Sequence, residues 1–297
     1  VLNMSSTEMM MMVNSVLMTD IIAYELIKNK LGRYHNEIFA VHELIGMVDA
    51  SIAIASYRAS VPCFCEPEID FDESARPYID AREMIHPLVE DCVRNDITLD
   101  GRSMLLTGSN ASGKSTYIKT AVINALLAQS MATALCSSYM AVSFNIYTSM
   151  ALKDNLTGGE SYFIAEIKSL KRVFDAADRG ERVLCAVDEI LRGTNMIERI
   201  ASSSELLRAI VKKGALCVAA THDTELCRIL AGEYVMCHFE EQISQGRMLF
   251  DYTIKDGPSN TQNAIKLLEL LSFNRSVVKR AEENAEFYRV NGRWTDG

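Results

Sequence analysis

A chain of 297 residues, 48% apolar and 23% charged, is long enough for one well-buried core plus a smaller appendage and needs no cross-links to fold. Its net charge of −9 excludes a protein that grips a polyanion over its whole surface, since such affinity comes mainly from Lys and Arg neutralising phosphates. The eight cysteines mostly sit in apolar runs such as Leu216-Cys217-Val218, the usage of a reducing, cytoplasmic compartment. The closest pair, Cys63-Phe64-Cys65, lacks zinc-module spacing and reads as a loop with two free thiols.

In chain order, Met9–Thr19 is apolar but bracketed by Glu8 and Asp20, well short of the ~20 residues that cross a bilayer, so no membrane contact is expected from this chain. Residues 5–30 and 34–59 read as two helices, with Leu31-Gly32-Arg33 as the turn of an antiparallel α-helical hairpin. Ile38, Val41, Ile45, Val48, Ile52 and Ala55 alternate spacings of three and four, which makes a seam along the second helix. Residues 1–62 are thus expected to be a helical segment, 63–77 a Pro-containing linker, and 78–297 the main domain. There the pattern becomes strand, loop, helix. Unbroken apolar runs at 103–106, 183–187 and 215–220 predict parallel strands buried on both faces, and helices are expected at 114–129, 163–178, 197–213 and 274–288.

The first run is followed by Gly108-Ser109-Asn110-Ala111-Ser112-Gly113-Lys114-Ser115, a complete G-x-x-x-x-G-K-S loop between a strand and a helix. Such a loop wraps backbone N–H groups around phosphate oxygens, and the helix presents its positive end to the anion. Lys114 is placed to reach the β and γ phosphates and the Ser115 hydroxyl to bind Mg²⁺. The second run ends in Asp188-Glu189, one carboxylate for the metal and one to polarise an attacking water. The third ends in Thr221-His222, where His222 is placed to contact the γ-phosphate or that water. Ligands of open α/β sheets bind at the carboxyl ends of the strands, so Gly108, Asp188 and His222 are expected on one rim. Between them, Thr157-Gly158-Gly159-Glu160-Ser161 resembles an ABC signature loop, which offers donors to the nucleotide of a partner subunit.

These motifs together resemble the MutS family of DNA mismatch-repair proteins. Thr107 to Tyr117 looks like the MutS-type phosphate loop, marked by Asn at Asn110; Asp188-Glu189-Ile190-Leu191-Arg192-Gly193-Thr194 is similar to the family's D-E-x-x-R-G-T, and Ala220-Thr221-His222 to its A-T-H. His86-Pro87, Asn95-Asp96 and Asn263-Ala264-Ile265 also fit, and the N-terminal helices look like the end of the family's lever region. The resemblance implies an α/β, ABC-type P-loop NTPase domain with a mainly parallel sheet, binding ATP and Mg²⁺, hydrolysing ATP to ADP and phosphate, and paired as a homodimer. By position, Asn110, Lys114, Ser115 and Thr116 would hold phosphate and metal, Asp188 the metal, Glu189 the water, with His222 as sensor and Ser161 as the trans contact. Two departures stand out: Ser109 occupies a common Pro position, and Cys92-Val93 occupy the place of an adenine-stacking aromatic, which passes that role to Tyr252. DNA is the implied partner, engaged mainly by regions outside this chain. The alternative is a nucleotide-gated dimerisation module with little hydrolysis and a partner other than mismatched DNA; a transport ATPase is disfavoured by the short gap between loop and signature.

Overall fold

The heptad-spaced residues from Ile38 to Ala55 lie on one continuous helix in the computed structural model, which describes residues 6–72, 74–109, 112–150, 162–244, 247–259 and 264–294. Two units are distinct, Val1–Ser60 and Val61–Gly297. The first holds α1 (Ser6–Leu17), α2 (Thr19–Arg33) and α3 (His35–Ser60). The turn expected at Leu31-Gly32-Arg33 is not made. The Tyr34 N–H donates to the Lys30 carbonyl and the Ile38 N–H to the Tyr34 carbonyl, both with helical spacing. A lone glycine costs a helix only about 1 kcal/mol, too little to force a reversal among helix-forming neighbours. The break falls instead at Met18, whose φ of 48° is left-handed, while the Asn14 side chain accepts from the Thr19 hydroxyl and the Asp20 N–H. Neither α2 nor α3 buries a residue, and the seam is exposed. By length and composition alone, α3 is also apolar enough to cross a membrane, with mean hydropathy 1.7.

The second unit runs β1 (Glu68–Asp70), β2 (Tyr78–Met84), β3 (Asn95–Asp100), β4 (Ser103–Thr107), α4 (Lys114–Met131), β5 (Ser138–Val142), β6 (Asn145–Ser149), α5 (Tyr162–Asp178) and β7 (Val183–Asp188). It continues through α6 (Met196–Lys212), β8 (Leu216–Ala220), α7 (Thr224–Ile229), β9 (Tyr234–His238), β10 (Glu241–Ser244), β11 (Arg247–Phe250), β12 (Lys255–Asp256), α8 (Ala264–Leu270) and α9 (Arg275–Asn291). The main sheet has the order β12-β9-β4-β8-β7-β6, parallel throughout except for β12, so this is an α/β fold.

Successive side chains of a strand point to opposite faces, and here both faces are covered. Leu106, Leu184, Ala186, Leu216 and Val218 face one core with Ile118 and Ala121 of α4; Leu105, Val183, Cys185, Val187 and Cys217 face another with Leu170 of α5, Leu207 of α6 and Leu226 of α7. Each such aliphatic side chain removed from water stabilises the fold by about 1.5–3 kcal/mol. That is why the central strands read as unbroken apolar runs.

A second, four-stranded sheet of order β1-β5-β2-β3 covers the α4 face and was not evident in the sequence. The segment expected as a linker belongs to it. β1 pairs in parallel with β5, and Cys65 exchanges backbone hydrogen bonds with Ala134. The thiols of Cys63 and Cys65 are free, as expected, and the Cys65 sulfur sits 3.4 Å from that of Cys136.

Candidate functional site

Register aligns the ends of three neighbouring strands. Leu106 of β4 pairs with Ala220 of β8, which pairs in turn with Asp188 of β7. Beyond that row the ladder continues for one more bond on each side: the Glu189 N–H donates to the Ala220 carbonyl and the Thr221 N–H to the Leu106 carbonyl. Gly108, Asp188-Glu189 and His222 therefore leave the sheet side by side. Their union is the consequence of a register, not of sequence proximity.

The loop after β4 closes on itself. The Lys114 ammonium donates to the carbonyls of Gly108 and Ser109 at 2.8 and 2.7 Å and is only 5% exposed. Burial lowers its pKa, and the nearby carboxylates of Glu189, Asp188 and Glu241 oppose that shift. Gly108 and Gly113 have φ of 141° and 109°, and a Cβ on Gly108 would stand 2.7 Å from the Phe239 carbonyl oxygen. Only glycine fits there. The Ser112 hydroxyl is buried with no hydrogen-bond partner among the described residues, while the Ser109 hydroxyl donates to Glu241 at 2.9 Å. Ser115 is half-buried and Thr116 exposed on the first turn of α4. Asn110, Ala111 and Ser161 lie outside the described residues.

Across the rim, Glu189 is held by two partners: His222 Nε2 at 2.5 Å and Arg192 Nη1 at 2.7 Å. Its backbone is left-handed, with φ of 58°, and Leu191 has φ of 54°. Such conformations cost a side-chain-bearing residue roughly 1–2 kcal/mol and persist because their surroundings impose them. Ile190 and Leu191 are buried beneath the turn, and the Ser203 hydroxyl donates to the Ile190 carbonyl. Next to His222, Asp223 accepts two hydrogen bonds from Arg199 of α6, at 2.8 and 2.7 Å, which fixes the segment after β8.

From Glu189 and the loop, a cleft of about 480 Å³ runs to an apolar wall of Met84, Val89, Cys92, Val93, Phe239 and Tyr252. Tyr252 stacks on Phe250, with ring centres 5.8 Å apart. Asn95 pins its segment, donating to the Tyr252 carbonyl and accepting from the Ile254 N–H. Below, the Tyr117 hydroxyl donates to the Asp96 carbonyl, and its ring meets Phe239 edge-on. Sequence reasoning placed Tyr252 here but missed Asn95 as its clasp and Arg192 as the second partner of Glu189. Both stood inside motifs already quoted. Among the described residues no three His, Cys, Asp or Glu side chains gather as a metal cluster.

Residues 104–288, more than half of the chain, match the family described as MutS domain V. The chain is 30% identical over 200 residues to DNA mismatch repair protein MutS of Thermus thermophilus, covering 66% of this chain and 24% of that protein. It is 26% identical over 277 residues to MutS of Granulibacter bethesdensis, covering 88% and 29%. Against DNA mismatch repair protein MSH3 of Phaeosphaeria nodorum it is 28% identical over 253 residues, covering 80% and 22%. The chain thus spans roughly a quarter of the length of these relatives. With the family's motifs meeting along one sheet edge and its domain V matched across that sheet, the chain belongs to the MutS family.

Proposed function

We propose that this chain is the P-loop, ABC-type ATPase part of a MutS-family protein, hydrolysing ATP to ADP and phosphate and coupling that cycle to DNA mismatch repair. The observation that carries the reading is the cleft itself. At one end a glycine-required loop with a buried Lys114 meets Glu189, and at the other an apolar wall with Tyr252 fits a nucleobase.

The donors fit the groups they would hold. Ser115 and Asp188 supply hard oxygen ligands of the kind Mg²⁺ takes alongside phosphate oxygens and water, so a large protein cluster is not required. Bound there, the ion would neutralise charge on the transferred phosphoryl group. The loop N–H groups and Lys114 hold the phosphates, Asn110 and Thr116 flank them, Glu189 orients and deprotonates water, and His222 holds Glu189 in place. Ser161 would serve the nucleotide of a second copy, which makes a homodimer the working unit. DNA engagement would rest largely on regions outside these 297 residues, in keeping with the acidic charge. A cytoplasmic location follows from the same reading.

A second reading is favoured by the hold that Arg192 and His222 have on Glu189: a nucleotide-gated dimerisation module with little turnover. Phosphate release by the purified protein, with and without Mg²⁺ and with and without mismatched DNA, separates the two. Mg²⁺-dependent release supports the hydrolase. Tight ATP binding with no release at any DNA concentration supports the gated module instead.

A further inference from the structure

Helix α5 touches the turn that carries Glu189 at two places, neither of them among the groups that line the cleft. Glu166, only 2% exposed, accepts a hydrogen bond from the Leu191 N–H at 2.5 Å through Oε1, while its Oε2 is buried with no partner among the described residues. One turn earlier, the Phe163 ring lies so close to Gly193 that a Cβ there would stand 3.2 Å from it. The first contact falls on Leu191, which with Glu189 two residues before it holds left-handed backbone.

A left-handed leucine at φ 54° does not sustain itself, and its N–H is buried with Glu166 as its acceptor. Carboxylates are rarely buried unless paired, so a Glu at this position, spending one oxygen on a backbone N–H, marks a fixed geometry rather than a packing choice. Because Glu189 lies two residues from Leu191, rotating that peptide re-aims the Glu189 carboxylate.

We propose that Glu166 is a positioning residue for Glu189: with Phe163 on Gly193 it locks the first turns of α5 to the turn after β7, so that any displacement of α5 reaches the Glu189 carboxylate. α5 begins immediately after the segment resembling the signature loop. The link therefore joins the part of the chain expected to face a partner's nucleotide to the water-polarising group of the chain's own site. This inference rests on the hydrolase reading above.

The test compares Glu166→Leu, which removes the acceptor at similar volume, with Glu166→Gln, which keeps an oxygen for the Leu191 N–H. Both are assayed for ATP turnover with Mg²⁺ and, separately, for equilibrium binding of a fluorescent ATP analogue. Glu166→Leu is expected to lower kcat by about tenfold or more with binding within about twofold of wild type, and Glu166→Gln to restore kcat to within about threefold. A merely structural role would lower binding and turnover together and would not be rescued by Gln. Where Glu166→Leu does not fold, Phe163→Ala, which frees Gly193 from a half-buried ring, makes the same comparison and is expected to lower kcat alone. Unchanged kcat in the folded variants would overturn this inference while leaving the hydrolase reading intact. Absence of turnover in the wild-type protein would overturn both.

Discussion

Two turns at the same sheet edge achieve left-handed backbone in opposite ways. After β4, the chain uses glycine at both positions, Gly108 and Gly113. After β7, it places Glu189 and Leu191, which have side chains and are held there by Glu166, His222, Arg192 and the burial of Ile190 and Leu191. The first turn is specified locally. The second depends on residues from α5 and from the end of β8, and that dependence gives a site a way to sense the elements around it.

The comparison breaks most sharply at Lys114. Lys114→Ala removes the buried ammonium and should weaken ATP binding by about 100-fold or more, read by titration calorimetry. Gly108→Ala comes next: the added methyl meets the Phe239 carbonyl in a conformation alanine disfavours, so a loss of about 1–3 kcal/mol is expected in urea unfolding, with weaker nucleotide binding besides. At the other turn, Leu191→Gly relieves backbone strain of about 1–2 kcal/mol but removes a buried side chain worth about 1.5–3 kcal/mol. The net change should lie between a gain of about 0.5 and a loss of about 2 kcal/mol, and a loss above about 3 kcal/mol would show that the Leu191 backbone stores no strain.

The smallest effect concerns pH. Burial raises the Glu166 pKa, and the Leu191 N–H only partly opposes it. The native state then binds more protons than the unfolded state, so this group costs stability as pH rises from the ordinary carboxylate range through the raised native pKa. Glu166→Gln should therefore melt higher than wild type at neutral pH, with the advantage shrinking as pH falls into that range. An advantage that grew toward acid would reverse the assigned sign.

The sequence made the sheet rim legible because its signals are local: unbroken apolar runs for β4, β7 and β8, each ending in a polar group of known chemistry. The helices after β4 and β7 were read to within two residues, whereas the short α7 after β8 was not expected, and Asn195 caps α6 by accepting from the Glu198 N–H. The second sheet was hidden because β2 and β3 alternate buried and exposed residues, and the parallel pairing of β1 with β5 joins segments some seventy positions apart. The hairpin failed for a different reason. Gly32 resembled a turn, yet the boundary beside it at Tyr34 keeps helical hydrogen-bond spacing on both sides. Glu166 gave no signal at all, since an acidic residue in an amphipathic helix reads as solvated until the fold buries it.

Glu189→Gln tests the central claim most directly, with ATP binding and phosphate release measured on the same preparation. Hydrolysis at this rim predicts binding close to that of wild type and phosphate release lower by about 10²- to 10⁴-fold, the usual contribution of a general base. Release unchanged by the substitution would contradict it.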